Sequence, residues 1–383
     1  MKRRTWLLGA LGATGALVVG WGVMPARSRL GDGTLMLPTE GEVGLNGWIK
    51  ITREGQVVLA MPRSEMGQGV HTGLAMLAAE ELDIPLSKVQ LQQAGPDTLY
   101  GNVVMLTSTL PFHPLEAEGE SPATKVRVGQ WLVGKIAREL GINATGGSSS
   151  IADAWEPLRM AAAMARASLL DAAAAQWQLP RAELRIDNGV VRHGNGQSAH
   201  FGELAAAAAG RKPSQVTPKE RKDWKLLGRA TARTDIPAKV NGSARFGIDV
   251  RQPQMRFAAV RLAPQLGGSV ASMNSQAAMA LPGVEKVVAL PALAGSTAGL
   301  AVVAKTTWHA RQAVQAVQVQ WAPSVNGALD SEKIRQQLQS ALQSEKGFTF
   351  YEQGDAGAAE ATAARTVEAD YHAPYLAHAT MEP

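Results

Sequence analysis

Apolar positions change period once near the start of the chain. Residues 45–52 and 56–60 are short runs rich in apolar side chains on either side of Arg53-Glu54-Gly55, the pattern of a β-hairpin. Leu74, Met76, Leu77 and Leu82 then recur at helical spacing. The glycine-rich stretch from Met61 to Gly73 therefore predicts a turn from strand into helix. Pro85 and Ser87 mark the next turn, and 89–93 reads as a strand. Glu80 and Glu81 are neighbours on the predicted helix and point in different directions, so no acid/base pair is read there and at least one is expected in solvent.

Residues 100–123 carry Pro111, Pro114 and Pro122 and predict loop, with His113 a surface or loop-packing residue. A helix over 130–140 is stopped by Gly141, and a long alanine-rich helix follows over 151–177. Residues 184–191 read as a strand broken at Asp187-Asn188-Gly189, and 201–209 as a short helix ending at Gly210. The basic, proline-punctuated, aperiodic stretch that follows predicts an interdomain linker. Beyond it, short β-rich runs (257–262, 284–289, 299–304) precede a helix at 307–316, an amphipathic helix at 330–342 and an alanine-rich connector at 356–365. This mixture predicts an α+β fold.

Composition narrows the chemistry. The 383 residues suffice for two or three domains. The absence of cysteine excludes disulfides, thiolate zinc sites and an iron–sulfur cluster held by this chain alone. Redox electrons would have to leave through another subunit. The net charge of +5 is dispersed along the chain, and its densest cluster, Lys219, Arg221 and Lys222, is interrupted by Glu220, so no nucleic-acid partner is read. Lys2-Arg3-Arg4 followed by the uncharged run 6–24 reads as a twin-arginine export signal or as a plain membrane anchor, the run being about long enough to cross roughly 30 Å of bilayer. No clean cleavage site stands at Pro25-Ala26-Arg27-Ser28.

Two turns carry candidate chemistry. Gly67 and Gly69 free the backbone for positive φ, and the N–H groups of the new helix point back at the turn, with Gln68 and Thr72 as further donors. That arrangement reads as an anion cradle or as simple punctuation. No lysine follows as a Walker A loop requires, and Gly73 comes one residue late for a dinucleotide fingerprint. Ala144-Thr145-Gly146-Gly147-Ser148-Ser149-Ser150 repeats the design before the long helix, either as a serine-rich N-cap or as a second cradle.

Glu65-Met66-Gly67-Gln68-Gly69-Val70-His71-Thr72 resembles the cofactor-wrapping segment of the xanthine dehydrogenase and aldehyde oxidase superfamily, and the chain as a whole resembles the large subunit of the isoquinoline 1-oxidoreductase branch. Thr145-Gly146-Gly147-Ser148-Ser149-Ser150, with Asp153-Ala154-Trp155-Glu156-Pro157-Leu158-Arg159 after it, resembles the second pterin-contacting segment of that branch. The resemblance implies molybdopterin cytosine dinucleotide with molybdenum, contacted by Gly67, Gln68, Gly69, His71 and Thr72 and by Thr145, Gly146, Gly147, Ser148, Ser149 and Ser150. Asp235-Ile236-Pro237-Ala238-Lys239-Val240-Asn241-Gly242-Ser243-Ala244-Arg245-Phe246, Ala280-Leu281-Pro282-Gly283-Val284 and residues 301–310 resemble the family's α/β hammerhead domain. There Trp308 and Trp321 read as core, and His309 as a packing or capping residue at a helix start. His378 and Met381-Glu382-Pro383 resemble the opening of the second cofactor-binding half, with Leu376 near the place where many relatives have a glutamine.

The resemblance thus implies a signal or anchor over 1–30, a first molybdopterin-binding α/β domain over 31–210, a linker over 211–226, a hammerhead domain over 227–325, and over 326–383 a connector with the truncated start of the second cofactor-binding half. It further implies a periplasmic oxidoreductase hydroxylating an N-heterocycle or aldehyde with water-derived oxygen. Electrons would pass to a separate [2Fe-2S] small subunit, with a membrane cytochrome c as further acceptor. The family's catalytic glutamate matches no residue here, so no catalytic residue and no metal ligand is assigned, and the chain alone is expected to be inactive. An exported, non-catalytic binding or assembly module is the alternative.

Overall fold

The computed structural model describes residues 28–117, 121–214, 216–293, 296–325, 327–344 and 346–376. The export segment before residue 28 and the closing His378 to Pro383 lie outside them. The chain divides into two compact units, Met1–Ser243 and Ala244–Pro383.

In the first unit, β1 (Val43–Gly44), β2 (Ile49–Ile51), β3 (Val57–Met61) and β4 (Val89–Gln93) form one sheet in that order. β2 and β3 are the expected antiparallel hairpin. β4 lies parallel to β3, with Val57 opposite Val89 and Met61 opposite Gln93, and the motif helix Val70–Leu82 carries the crossover between them. Parallel neighbours need such a crossover, which places the glycine turn at the carboxyl end of β3. The long helix Ser150–Trp177 packs on the motif helix, and its Ala154, Ala161, Ala162 and Ala165 are at most 1% exposed in the same core; small side chains let neighbouring backbones approach closely. Pro157 inside this helix has no N–H to give the carbonyl of Asp153. Arg29 Nη1 donates to that oxygen instead, at 3.1 Å, so the helix continues through the proline.

A second sheet, β5 (Arg185–Asp187), β6 (Val190–Arg192) and β7 (Ser198–His200), turns at Asn188 and Gly189, both at positive φ, as a tight hairpin requires. The expected loop over 100–123 contains two short helices, Val103–Thr107 and Pro114–Ala117, and Tyr100 is buried with its hydroxyl donating to the carbonyl of Gly47.

Two further expectations are corrected in this unit. Glu80 and Glu81 are both buried, at 2% and 0% exposure. The stretch expected as a linker packs against them and belongs with the first unit, which runs to Ser243. Glu80 accepts the backbone N–H groups of Lys225, Leu226 and Leu227 at 2.7–3.1 Å. Glu81 accepts the N–H of Lys219 at 2.9 Å and pairs with Arg159 and Arg166. Irregular backbone without apolar periodicity is thus held by carboxylates, which hydropathy patterns do not register.

The second unit contains a three-stranded antiparallel sheet in the order β10 (Val284–Leu290), β11 (Gly299–Ala304), β8 (Phe257–Leu262), and a pair formed by β12 (Gln318–Ala322) and β9 (Ser269–Asn274). Its core is small: Ala278, Leu300, Val302, Ala313, Val314 and Val317, with helix Thr307–Ala316 supplying two of them and Trp321 packed partly buried against the group. Trp308, expected in the core, is 68% exposed. The inward face of its helix is Ala310, Ala313 and Val314, and position 308 falls on the opposite side. His309 sits at the helix start, its N–H capped by Thr306 Oγ1 at 3.1 Å.

Candidate functional site

β3 delivers the chain into Pro62, Arg63 and Ser64, and Arg63 is fully buried. Its guanidinium donates to Asp153 Oδ2 at 2.7 Å, to the carbonyl of Tyr100 at 2.9 Å and to Asn143 Oδ1 at 2.9 Å. Asp153 stands in the first turn of the long helix and also accepts Arg29 and the N–H groups of Val103 and Val104. Burial pushes Arg63 below its usual pKa while the Asp153 charge opposes that fall. A planar fork with several partners suits such a position, and Arg63 bolts the first glycine turn to the segment that precedes the second.

Directly after Arg63, the N–H of Ser64 donates to Thr145 Oγ1 at 2.9 Å, joining the two turns. Between them runs a groove of about 440 Å³. One wall is Pro62, Ser64 and Met66, the other Asn143, Ala144 and Thr145, and the floor is residues 93–96 at the end of β4. It opens where parallel β3 and β4 both end, the usual place for a ligand in an α/β sheet.

The turns differ in what they offer. At the first, Gly67 and Gly69 have φ of 96° and 86°. The N–H groups expected to meet an anion are taken: Glu65 Oε1 accepts Gly67 and Gly69 at 2.9 Å, and Oε2 accepts His71 at 3.1 Å. Burial pushes the Glu65 carboxyl up, but these N–H donors and Arg233 outweigh it and hold it below the usual carboxylate range. Gln68 folds back to donate to the carbonyl of Ser64, His71 Nε2 lies 3.2 Å from the carbonyl of Arg63, and Thr72 Oγ1 is buried against Thr234 at 3.1 Å. The first turn is therefore satisfied from within, and Gln68, His71 and Thr72 brace it.

The second turn presents more of itself. Gly147 and Ser148 take successive left-handed conformations, at φ 59° and 54°, which for serine costs about 1 kcal/mol. Gly146, Gly147 and Ser148 leave open faces, and a Cβ at Gly146 would meet no atom within 4 Å. Thr145 lines the groove, and because its oxygen accepts the Ser64 N–H its own proton remains to donate. Ser149 departs from the expected helix cap: it is buried, donating to the carbonyl of Gly146 at 2.6 Å and accepting Asn102 Nδ2 at 2.7 Å. Ser150 is the first helical residue.

Sequence reasoning missed Glu65, Arg63, Asp153 and Arg233 as the framework of the site. Glu65 was legible in principle, since a carboxylate two to six residues before glycine-turn amides is placed to reach them. A long polar ligand fits the groove and the second turn, where Cβ-free positions open onto space, and does not fit the N–H nest that Glu65 fills.

These features define an α/β domain with an open groove at the carboxyl ends of its parallel strands. Residues 10–104 match the family model described as a molybdopterin cofactor-binding domain. The chain is 30% identical to the beta subunit of the isoquinoline 1-oxidoreductase of Brevundimonas diminuta, over 84% of this chain and 40% of that protein. It is 26% identical to a subunit of the nicotinate dehydrogenase of Pseudomonas putida, over 97% of this chain and 28% of that protein. To the membrane-bound aldehyde dehydrogenase (pyrroloquinoline-quinone) of Gluconacetobacter polyoxogenes it is 23% identical, over 100% of this chain and 45% of that protein. These matches support a molybdopterin-binding subunit of the xanthine dehydrogenase family, its N-terminal part, and the chain spans less than half the length of these relatives.

Proposed function

We propose that this chain forms the cofactor-cradling part of a molybdenum hydroxylase large subunit that oxidises an N-heterocycle or an aldehyde with water-derived oxygen. The observation that carries the reading is the groove between two linked glycine turns at the carboxyl ends of β3 and β4, its first turn and its floor lying within the molybdopterin-binding match. The cofactor, in its cytosine dinucleotide form, supplies the two-electron redox chemistry when bound. Thr145, Gly146, Gly147 and Ser148 would hold it on one wall, with Gly67 and Gly69 keeping the opposite turn clear of side chains. Arg63 and Asp153 keep the walls in register. With no cysteine in the chain, the electrons leave to a separate [2Fe-2S] subunit and on to a membrane cytochrome c. Twin-arginine export carries the protein to the periplasm, folded around its cofactor, and no residue here serves as the catalytic base, so the chain alone does not turn over substrate.

The test is to produce the full chain in a host that makes the cofactor and to measure molybdenum by plasma mass spectrometry and pterin by fluorescence after oxidation. Stoichiometric pterin, lost in Gly146→Val with the fold retained, is expected. A folded wild-type chain without pterin would sink the reading.

A further inference from the structure

Residues 219–235 run along the motif helix from its C-terminal end to its N-terminal end. Their inner end is fixed at Glu80 and Glu81, in the buried interior. At the outer end, Thr234 N donates to Thr72 Oγ1 at 3.0 Å, and Arg233 meets the glycine turn itself. Arg233 Nη1 donates to the carbonyl of Gly67 at 2.6 Å, while Nη2 lies 3.3 Å from Glu65 Oε1, the carboxylate that organises the turn. Asp235 accepts two bonds from Arg233, at 2.9 and 2.6 Å, and is paired in turn with Lys239, so the guanidinium is aimed before it reaches the turn. A Cβ at Gly67 or Gly69 would meet no atom within 4 Å, so packing does little to hold this loop. Its hold comes from hydrogen bonds, those of Glu65, Gln68 and His71 inside the turn and those of Arg233 from outside it.

We propose that Arg233 is a positioning residue for the groove: through Glu65 and the Gly67 carbonyl, the strap of residues 219–235 sets the conformation of the first glycine turn. This rests on the cofactor-cradling reading for its consequence, but not for its geometry. Loss of Arg233 frees the turn while the inner end of the strap stays seated, because Glu80 and its three N–H partners are untouched.

Hydrogen–deuterium exchange on the full chain tests this with Arg233→Met, and with Arg233→Lys, which keeps the charge but not the two-pronged fork. The expected result is exchange about tenfold faster at the amides of 66–71 in Arg233→Met, with 225–227 and the thermal midpoint unchanged and Arg233→Lys rescuing only part of the loss. Unchanged exchange at 66–71 would overturn the proposal. So would a uniform rise across 66–82 and 225–227, which marks a merely structural role. Should Arg233→Met fail to fold, Asp235→Asn gives the same readout, with a smaller rise expected at 66–71 and none there overturning the proposal. Pterin retention after gel filtration separates this from the broader reading: no pterin in wild type counts against the function alone, whereas retained pterin with an unmoved turn counts against Arg233 alone.

Discussion

The two ends of the motif helix are both held by carboxylates, and by opposite means. At the N-terminal end Glu65 reaches amides two, four and six residues further along its own turn and leaves the glycines facing open space. At the C-terminal end Glu80 and Glu81 reach backbone 138–147 residues away and are sealed from water. The local arrangement shapes a loop without filling the space beside it, as a ligand groove needs. The remote arrangement spends its hydrogen bonds on tertiary structure. Where two acidic residues at helix ends look alike in sequence, sequence separation to their partners distinguishes a site from a seam.

The comparison breaks most severely at Glu81. Glu81→Ala leaves Arg159 and Arg166 without their buried counter-charge, and should cost on the order of 4 kcal/mol in chemical denaturation, with residues 217–219 losing exchange protection. Next comes Glu80→Gln, which keeps an acceptor but loses the charge that four donors share. It should cost about 2 kcal/mol and loosen 225–227 while sparing the glycine turn.

Acid tests both ends together. Burial raises the carboxyls of Glu65 and Glu80, but their N–H donors and neighbouring cations outweigh it, so each is held below its ordinary value of 4.5. Their contribution is complete above that value and is lost as pH falls through the lower folded pKa, while a rise toward pH 8 leaves it intact. Urea midpoints should therefore be flat in these terms from about pH 5.5 upward and fall below about pH 4, and Glu80→Gln should flatten part of that fall. The smallest effect belongs to Gly69→Ala. At φ 86° an alanine is strained by about 1 kcal/mol, yet its Cβ meets nothing, so thermal unfolding should shift by only a few degrees while the change in the turn is local.

Much of the scaffold was legible because its signals are local. The strands 89–93, 257–262 and 299–304 and the helix 307–316 lie where periodicity and turn residues put them, and Gly141 ends its helix in the left-handed conformation as glycine does. The two glycine turns were found for the same reason. Their use was only half legible: open glycine faces follow from composition, but that Glu65 would take the N–H groups, and that Ser149 would turn inward to Asn102 and Gly146, depends on which neighbours arrive.

The order of amino acids set the hairpin, the crossover helix and the pair of glycine turns, since each rests on steric and hydrogen-bonding preferences within a few residues. Folding alone decided that Ser64 would meet Thr145, that Arg63 and Asp153 would lock beneath them, and that an aperiodic basic stretch would become a strap over the motif helix. Those contacts join residues 80 to 150 positions apart, and buried charges find their partners through the packing of the whole unit, which no pattern along the chain records.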